Sequence, residues 1–238
     1  GLDLPHVGGT LPSLPHVEMT ITELRRRGVE VEAAQGNWRV RPGPIAALDL
    51  QIEPDLSNAG AFVAAALATG GEVRIRDWPT TTDQAGDAWR DLTVAFGGSV
   101  TRDGNDLIFS GPESVSAVDL DLHEVGELTP VVAALAALAD GNSTLRGIAH
   151  LRGHETDRLA ALASQINALG GQVDEVHDGL DIHPRALSGG RFATFDDHRM
   201  AHAGAILGLK TSGVVIENIG TTAKTYPQFA DDWSRLIS

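Results

Sequence analysis

Two kinds of apolar pattern interleave along the chain. In the first, a helical stretch with one charged face ends at glycine, an alternating strand follows, then a tight turn and a second strand. Glu23-Leu24-Arg25-Arg26-Arg27-Gly28-Val29-Glu30-Val31 leads to Gly36-Asn37-Trp38-Arg39-Val40. The same pattern passes through Phe96-Gly97-Gly98-Ser99-Val100 to Gly104-Asn105-Asp106-Leu107-Ile108-Phe109. It returns through Leu169-Gly170-Gly171-Gln172-Val173 to Asp178-Gly179-Leu180-Asp181-Ile182. Glycine suits the left-handed residue that ends a helix, and Gly-Asn or Asp-Gly suits a turn with positive φ. In the second kind, Ala64–Ala68, Ala133–Ala139 and Ala205–Leu209 are apolar nearly all round, each ending near glycine before a short strand. Helices of that kind belong in an interior, and the charged ones at the surface.

Both series share one period. Gly28, Gly98 and Gly171 are 70 and 73 residues apart, and Gly71, Gly141 and Gly213 are 70 and 72 apart. The pattern therefore predicts an α/β protein of repeated helix–strand–helix–strand–strand units, with buried helices and outer sheets. The first repeat lacks its buried-helix half. Between Arg41 and Pro54, three prolines flank a strand-like run, Ala47–Ile52, expected to cross between two lobes. The expected division is 1–50 as the tail of a first, truncated lobe and 51–238 as a second lobe.

Composition narrows the function classes. Apolar residues make up 42% and charged ones 21%, as in ordinary globular domains. With 18 Lys+Arg against 32 Asp+Glu the formal net charge is −14, which disfavours nucleic acid and anionic membranes. No cysteine is present, so disulfides and thiolate metal sites are excluded. No apolar run reaches bilayer length, and the first residues lack a signal-peptide pattern, so a cytoplasmic location is expected. The chain opens mid-pattern without Met, as though cut from something longer.

Ionisable residues concentrate in a few places. In His150-Leu151-Arg152-Gly153-His154-Glu155-Thr156-Asp157-Arg158, a helix starting near Glu155 puts His154, Glu155 and Arg158 on one face. Such a start either binds an anion and moves a proton or is a solvated pair. In Asp196-Asp197-His198-Arg199-Met200, Asp197 reads as an N-cap and Arg199 as a first-turn arginine, opposed by the helix dipole unless an anion sits there. His198 and His202 have helical spacing, but no third ligand is evident and zinc is disfavoured. Lys224 lies in a polar loop, and Glu127, just before the most apolar helix, is either a cap or a desolvated base. Asp55 or Ser57 reads as the cap of the helix that follows. Arg158, Arg199 and Lys224 would gather positive potential on one face of an acidic protein.

Five runs carry a resemblance: Ser13-Leu14-Pro15-His16, Pro54-Asp55-Leu56-Ser57-Asn58-Ala59, His154-Glu155-Thr156-Asp157-Arg158, Asp197-His198-Arg199-Met200-Ala201 and Ala223-Lys224-Thr225. In this order the chain resembles the 5-enolpyruvylshikimate-3-phosphate synthase family. The resemblance implies βαβαββ units in an enolpyruvyl transferase-like inside-out barrel, one lobe nearly complete plus part of a second. It implies transfer of the enolpyruvyl group of phosphoenolpyruvate to the 5-hydroxyl of shikimate 3-phosphate, with no cofactor or metal. Glu127 would accept the hydroxyl proton and Glu155 would shuttle the methylene proton. Arg158, Arg199 and Lys224 would hold phosphoenolpyruvate, while Ser13 and His154 would contact shikimate 3-phosphate. Many members have Asp, Asn and Lys where this chain has Glu127, His150 and His154, and the histidines make the charge there pH-dependent. The family's N-terminal half, with part of both substrate sites, is the implied missing partner, and the chain alone is expected to be inactive or feeble. Two alternatives are a transferase acting on UDP-N-acetylglucosamine and a non-catalytic repeat scaffold.

Overall fold

The structure is a computed structural model describing residues 1–8, 11, 14–34 and 36–237. Its first group is β1 (Leu2–Pro5), α1 (Leu14–Arg26), β2 (Val31–Ala34) and β3 (Asn37–Val40). The strands form an antiparallel sheet in the order β1-β3-β2. It is backed by a small core of its own, Ile21, Val29 and Val31. The alternation Leu48-Asp49-Leu50-Gln51-Ile52 does not become the expected strand. Residues 41–55 have no regular structure, and Leu48, Leu50 and Ile52 are exposed because no neighbouring strand offers them a ladder.

Next come α2 (Leu56–Thr69), β4 (Glu72–Ile75), α3 (Trp89–Ala95), β5 (Ser99–Asp103) and β6 (Asp106–Ser110), with sheet order β4-β6-β5. One complete βαβαββ unit follows: β7 (Asp119–Asp121), α4 (Thr129–Ala137), β8 (Ser143–Arg146), α5 (Arg158–Ala168), β9 (Gln172–Val176) and β10 (Gly179–His183). Its sheet order is β7-β8-β10-β9, with β7 and β8 parallel. The last group is β11 (Gly190–Phe192), α6 (His198–Lys210), β12 (Val214–Ile216) and α7 (Phe229–Leu236), with β11 and β12 parallel.

The Ala-rich helices α2, α4 and α6 pack on one another at the centre, as their patterning predicts. Every residue of α4 is buried. Small side chains let these helices approach closely, and the sheets lie outside them. The described strands form four separate sheets with no closed barrel among them, and they surround the buried helices in the inside-out arrangement expected. No helix among the described residues is long and apolar enough to cross a membrane.

The glycines that end α1, α3 and α5 lie at equivalent places. Gly28, Gly97 and Gly170 have φ of 76°, 89° and 92°, the left-handed region expected there. The third turn differs. Gly179 is absent from the positive-φ positions, and a Cβ on it would stand 1.8 Å from the Leu145 carbonyl oxygen. Its glycine is required by close approach of β10 to β8, not by turn geometry. Gly179→Ala is therefore expected to lower unfolding free energy by about 3 kcal/mol through forced backbone displacement. Gly104→Ala, strained at φ +60° but in open space, should cost only about 1 kcal/mol. Urea unfolding of the two variants checks the order.

Candidate anion-binding active site

The site begins at the N-terminus of α6. Asp197 caps this helix, its Oδ1 accepting from the Arg199 backbone N–H at 2.8 Å, which puts His198 and Arg199 in the first turn as expected. Arg199 is 8% exposed and its Nη1 donates to the Ser57 carbonyl at 3.0 Å, in the first turn of α2. Among the described residues it has no ion pair within 4.0 Å. Burial pushes its guanidinium pKa down, although the charges of Asp55 and Glu127 oppose the shift. A buried cation at the positive end of a helix, held without a carboxylate of its own, is suited to an incoming anion.

The second arginine is held differently. α5 begins at Arg158, not near Glu155, because Asp157 takes the cap by accepting from Ala160 N at 3.1 Å. His154 and Glu155 are therefore in the loop before the helix, and the single helical face predicted for them does not exist. The loop nevertheless delivers both to Arg158. The Arg158 Nη2 donates to Glu155 Oε2 at 2.9 Å, and Nη1 lies 3.4 Å from His154 Nδ1. Nε and Nη2 also donate to the two Asp197 oxygens at 2.7 and 3.2 Å. Asp197 is fully buried, so it joins the two helix starts as both cap and counter-ion.

Glu155 in turn pairs with Lys224, which the last 3₁₀ turn, Ile219–Lys224, brings in. Burial alone would raise the Glu155 carboxyl. The Lys224 hydrogen bond, a backbone hydrogen bond and the Arg158 charge outweigh it and hold the pKa at about 2.

Glu155, Arg158, His198 and Arg199 border a cavity of about 310 Å³, to which Lys224 is linked through Glu155. His150, His154 and Glu127 line it with the two arginines, and so does His16 from α1, a residue to which the sequence reading gave no role. The rings of His123, His150 and His154 follow one another at 5.6 and 6.0 Å. Burial holds His150 and His154 below the ordinary 6.5, helped by His123 in the first case and Arg158 in the second. Glu127 is not a helix cap; Leu128 occupies that position of α4, and Glu127 faces Ser57 Oγ at 3.5 Å. Asp55 does cap α2, accepting from Asn58 N at 2.9 Å, and stands outside the cavity lining. Ser13 lies outside the described residues.

His198 and His202 are buried with rings 6.1 Å apart, and among the described residues no group of three or more potential metal ligands forms. Among the described residues both ring nitrogens of His202 and Nδ1 of His198 lack hydrogen-bond partners, the nearest carboxylate oxygen to the latter being Asp197 Oδ1 at 3.8 Å. Burial, then the Arg199 charge, pushes His198 to about 4 and His202 to about 3. Between pH 6.5 and about 4 the unfolded chain therefore takes up protons that the folded chain refuses, and stability falls as pH falls. The slope reaches about 1.4 kcal/mol per pH unit per histidine. Glu155 acts lower, its contribution being lost from 4.5 down to about 2. Unfolding free energies at about pH 7 and pH 5 should differ markedly in the parent. The difference should be smaller in His202→Leu; an unchanged slope would contradict the assignment.

A profile of the family described as EPSP synthase (3-phosphoshikimate 1-carboxyvinyltransferase) matches residues 4–233. The chain belongs to the EPSP synthase family. It is 58% identical over 230 residues to the 3-phosphoshikimate 1-carboxyvinyltransferase of Kocuria rhizophila, covering 96% of this chain and 52% of that protein. The chain thus spans about half the length of this EPSP synthase relative. Among solved structures it is similar to EPSP synthase from Acinetobacter baumannii, with TM-score 0.80 and 22% identity over 98% of this chain and 56% of that one. It is also similar to the enolpyruvyl transferase NikO from Streptomyces tendae, with TM-score 0.70 and 21% identity over 95% and 53% of the two chains. At those identities the structural likeness establishes the EPSP-synthase-like α/β fold of helices and several sheets, matching the repeat architecture read from the sequence.

Proposed function

We propose that this chain supplies one wall of the active site for transfer of an enolpyruvyl group from phosphoenolpyruvate to the 5-hydroxyl of shikimate 3-phosphate. The supporting observation is one cavity lined by Arg158, Arg199, Glu127 and Glu155, with Lys224 paired to that same Glu155 from a third element. In this reading residues 1–50 end a first lobe, residues 51–238 form the second, and the rest of the first lobe is the partner that completes the site. The location is cytoplasmic.

Arg158, Arg199 and Lys224 take the carboxylate and phosphate of phosphoenolpyruvate, with Arg158 held in place by Asp197. Glu127, beside Ser57, accepts the proton of the attacking hydroxyl. Glu155 protonates the methylene carbon, and carbon–oxygen bond formation gives a tetrahedral intermediate. Loss of phosphate and return of the methyl proton to Glu155 complete the transfer. Held by two cations, Glu155 is a poor acid. When the substrate's anionic groups take over Lys224, the restraint on Glu155 loosens and its pKa climbs toward a range where it can donate a proton. His154 and His150 face shikimate 3-phosphate, and protonated histidines would strengthen the hold on its phosphate.

Thermal unfolding with added ligand tests this reading. Shikimate 3-phosphate with phosphoenolpyruvate should raise Tm by about 2–4 °C for each kcal/mol of binding free energy, and UDP-N-acetylglucosamine should leave it unchanged. Protection by the UDP-sugar alone would replace the acceptor, and no protection by any of the three would favour a scaffold.

A further inference from the structure

Two segments carry Asp197 to Arg158 and Lys224 to Glu155, both of which line the cavity: the loop after β11 and the turn after β12. These strands are parallel neighbours, and Glu217 N donates to the Phe192 carbonyl at 2.9 Å where they end. Four described non-glycine residues have left-handed backbone, and three of them are here: Phe195 (φ 53°), Asp196 (φ 57°) and Asn218 (φ 56°). Asp and Asn tolerate that region, whereas a bulky aromatic residue is strained there. Such backbone persists where its surroundings over-determine it. The determinants are present. Asn218 Nδ2 donates to Asp196 Oδ1 at 2.8 Å, and Thr221 Oγ1 donates to the Asp196 carbonyl at 2.7 Å. Asp196 immediately precedes Asp197, and Thr221 shares the 3₁₀ turn that ends at Lys224.

We propose that Asp196, Asn218 and Thr221 are positioning residues, a bracket that sets Lys224 against Glu155 and couples it to the Asp197–Arg158 pair. None of the three borders the cavity. They act through the segments they join. The Lys224 side chain is 53% exposed, and an exposed lysine on a freely moving turn gains little from a single carboxylate. Anchoring its turn to the α6 cap removes the backbone part of that freedom, leaving the side-chain rotamers alone to be fixed on pairing. The value of this for holding a substrate anion rests on the function proposed above, but the effect of the bracket on the Lys224–Glu155 pair does not.

The experiment is a ¹³C carboxyl NMR titration of Glu155 in the unliganded chain, with a thermal melt of each variant. Charged or titratable groups facing Glu155 are Lys224, Arg158, His154 and His198, and the substitutions leave the last three in place. Asn218→Gly suits the left-handed backbone and should fold at least as well as the parent while losing the donor. Thr221→Ala loses the hydroxyl, and Thr221→Ser keeps it. Asn218→Gly and Thr221→Ala should raise the Glu155 midpoint by about half a pH unit or more, and Thr221→Ser should restore the parent value. In a Lys224→Ala background the bracket substitutions should add nothing. The proposal is overturned if both leave the midpoint unchanged while Lys224→Ala shifts it, if Lys224→Ala shifts nothing, or if their effects persist undiminished without Lys224. Titration of the parent with phosphoenolpyruvate separates the two claims: no binding there, with the NMR result as expected, sinks the functional reading and leaves the bracket standing.

Discussion

Arg158→Ala is expected to be the most destabilising single substitution at the site, lowering unfolding free energy by about 3–5 kcal/mol. The reason is the residue it abandons. Asp197 is fully buried, and the two oxygens that Arg158 engages would retain one backbone N–H, that of Arg199, as the hydrogen-bond donor described for them. An uncompensated carboxylate in that position either stays charged at high cost or takes up a proton. Glu155 keeps Lys224 and is less affected. The double variant Arg158→Met with Asp197→Asn tests the cause, because asparagine retains the cap while removing the charge. It should recover most of the lost stability. Urea unfolding of the parent, Arg158→Met, Asp197→Asn and the double variant closes the cycle and gives the coupling directly. A single-variant loss below about 1 kcal/mol would show that the buried pair does not hold α5 and α6 together.

Arg199→Gln is expected to do the reverse. This arginine is buried too, 8% exposed against 2% for Arg158, yet it donates to a carbonyl and has no ion pair among the described residues. Its removal relieves the desolvation of a cation at the positive end of α6, so the urea midpoint should stay level or rise. Phosphoenolpyruvate affinity should fall about 100-fold, close to 3 kcal/mol, as for loss of a buried charge-assisted contact. Calorimetric titration reads the affinity and unfolding reads the fold. Equal affinity in parent and variant, or a collapse of stability, would each remove Arg199 from the anion site.

The contrast between the two arginines explains what could be read in advance. Local signals served well. The Ala-rich runs placed α2, α4 and α6 at the centre, and Asp55 and Asp197 were recognisable as caps because a cap acts within three residues. The Arg158–Asp197 link spans 39 residues, so sequence spacing could not reveal that one aspartate serves both helix starts. The start of α5 was misplaced because Glu155 and Asp157 compete locally, and the aspartate, nearer the helix, took the cap. Alternation in 47–52 was a genuine strand pattern, but a strand requires a partner, and none of the described strands pairs with it. Lys224 was weak alone and gained weight only when the turn after β12 brought it to Glu155. His16 carried no local signal beyond its place in a family-like run, and only tertiary packing puts it on the cavity.

The central claim, an enolpyruvyl transferase site of which this chain forms one wall, is tested most directly by phosphate release from phosphoenolpyruvate and shikimate 3-phosphate. The chain is assayed alone and then mixed with the portion of the Kocuria rhizophila enzyme that it does not match. The account predicts little or no release from the chain alone, turnover in the mixture, and loss of that turnover when the chain carries Arg199→Gln. Turnover by the chain alone at the rate of an intact synthase, or none in a folded and associated mixture, would contradict it.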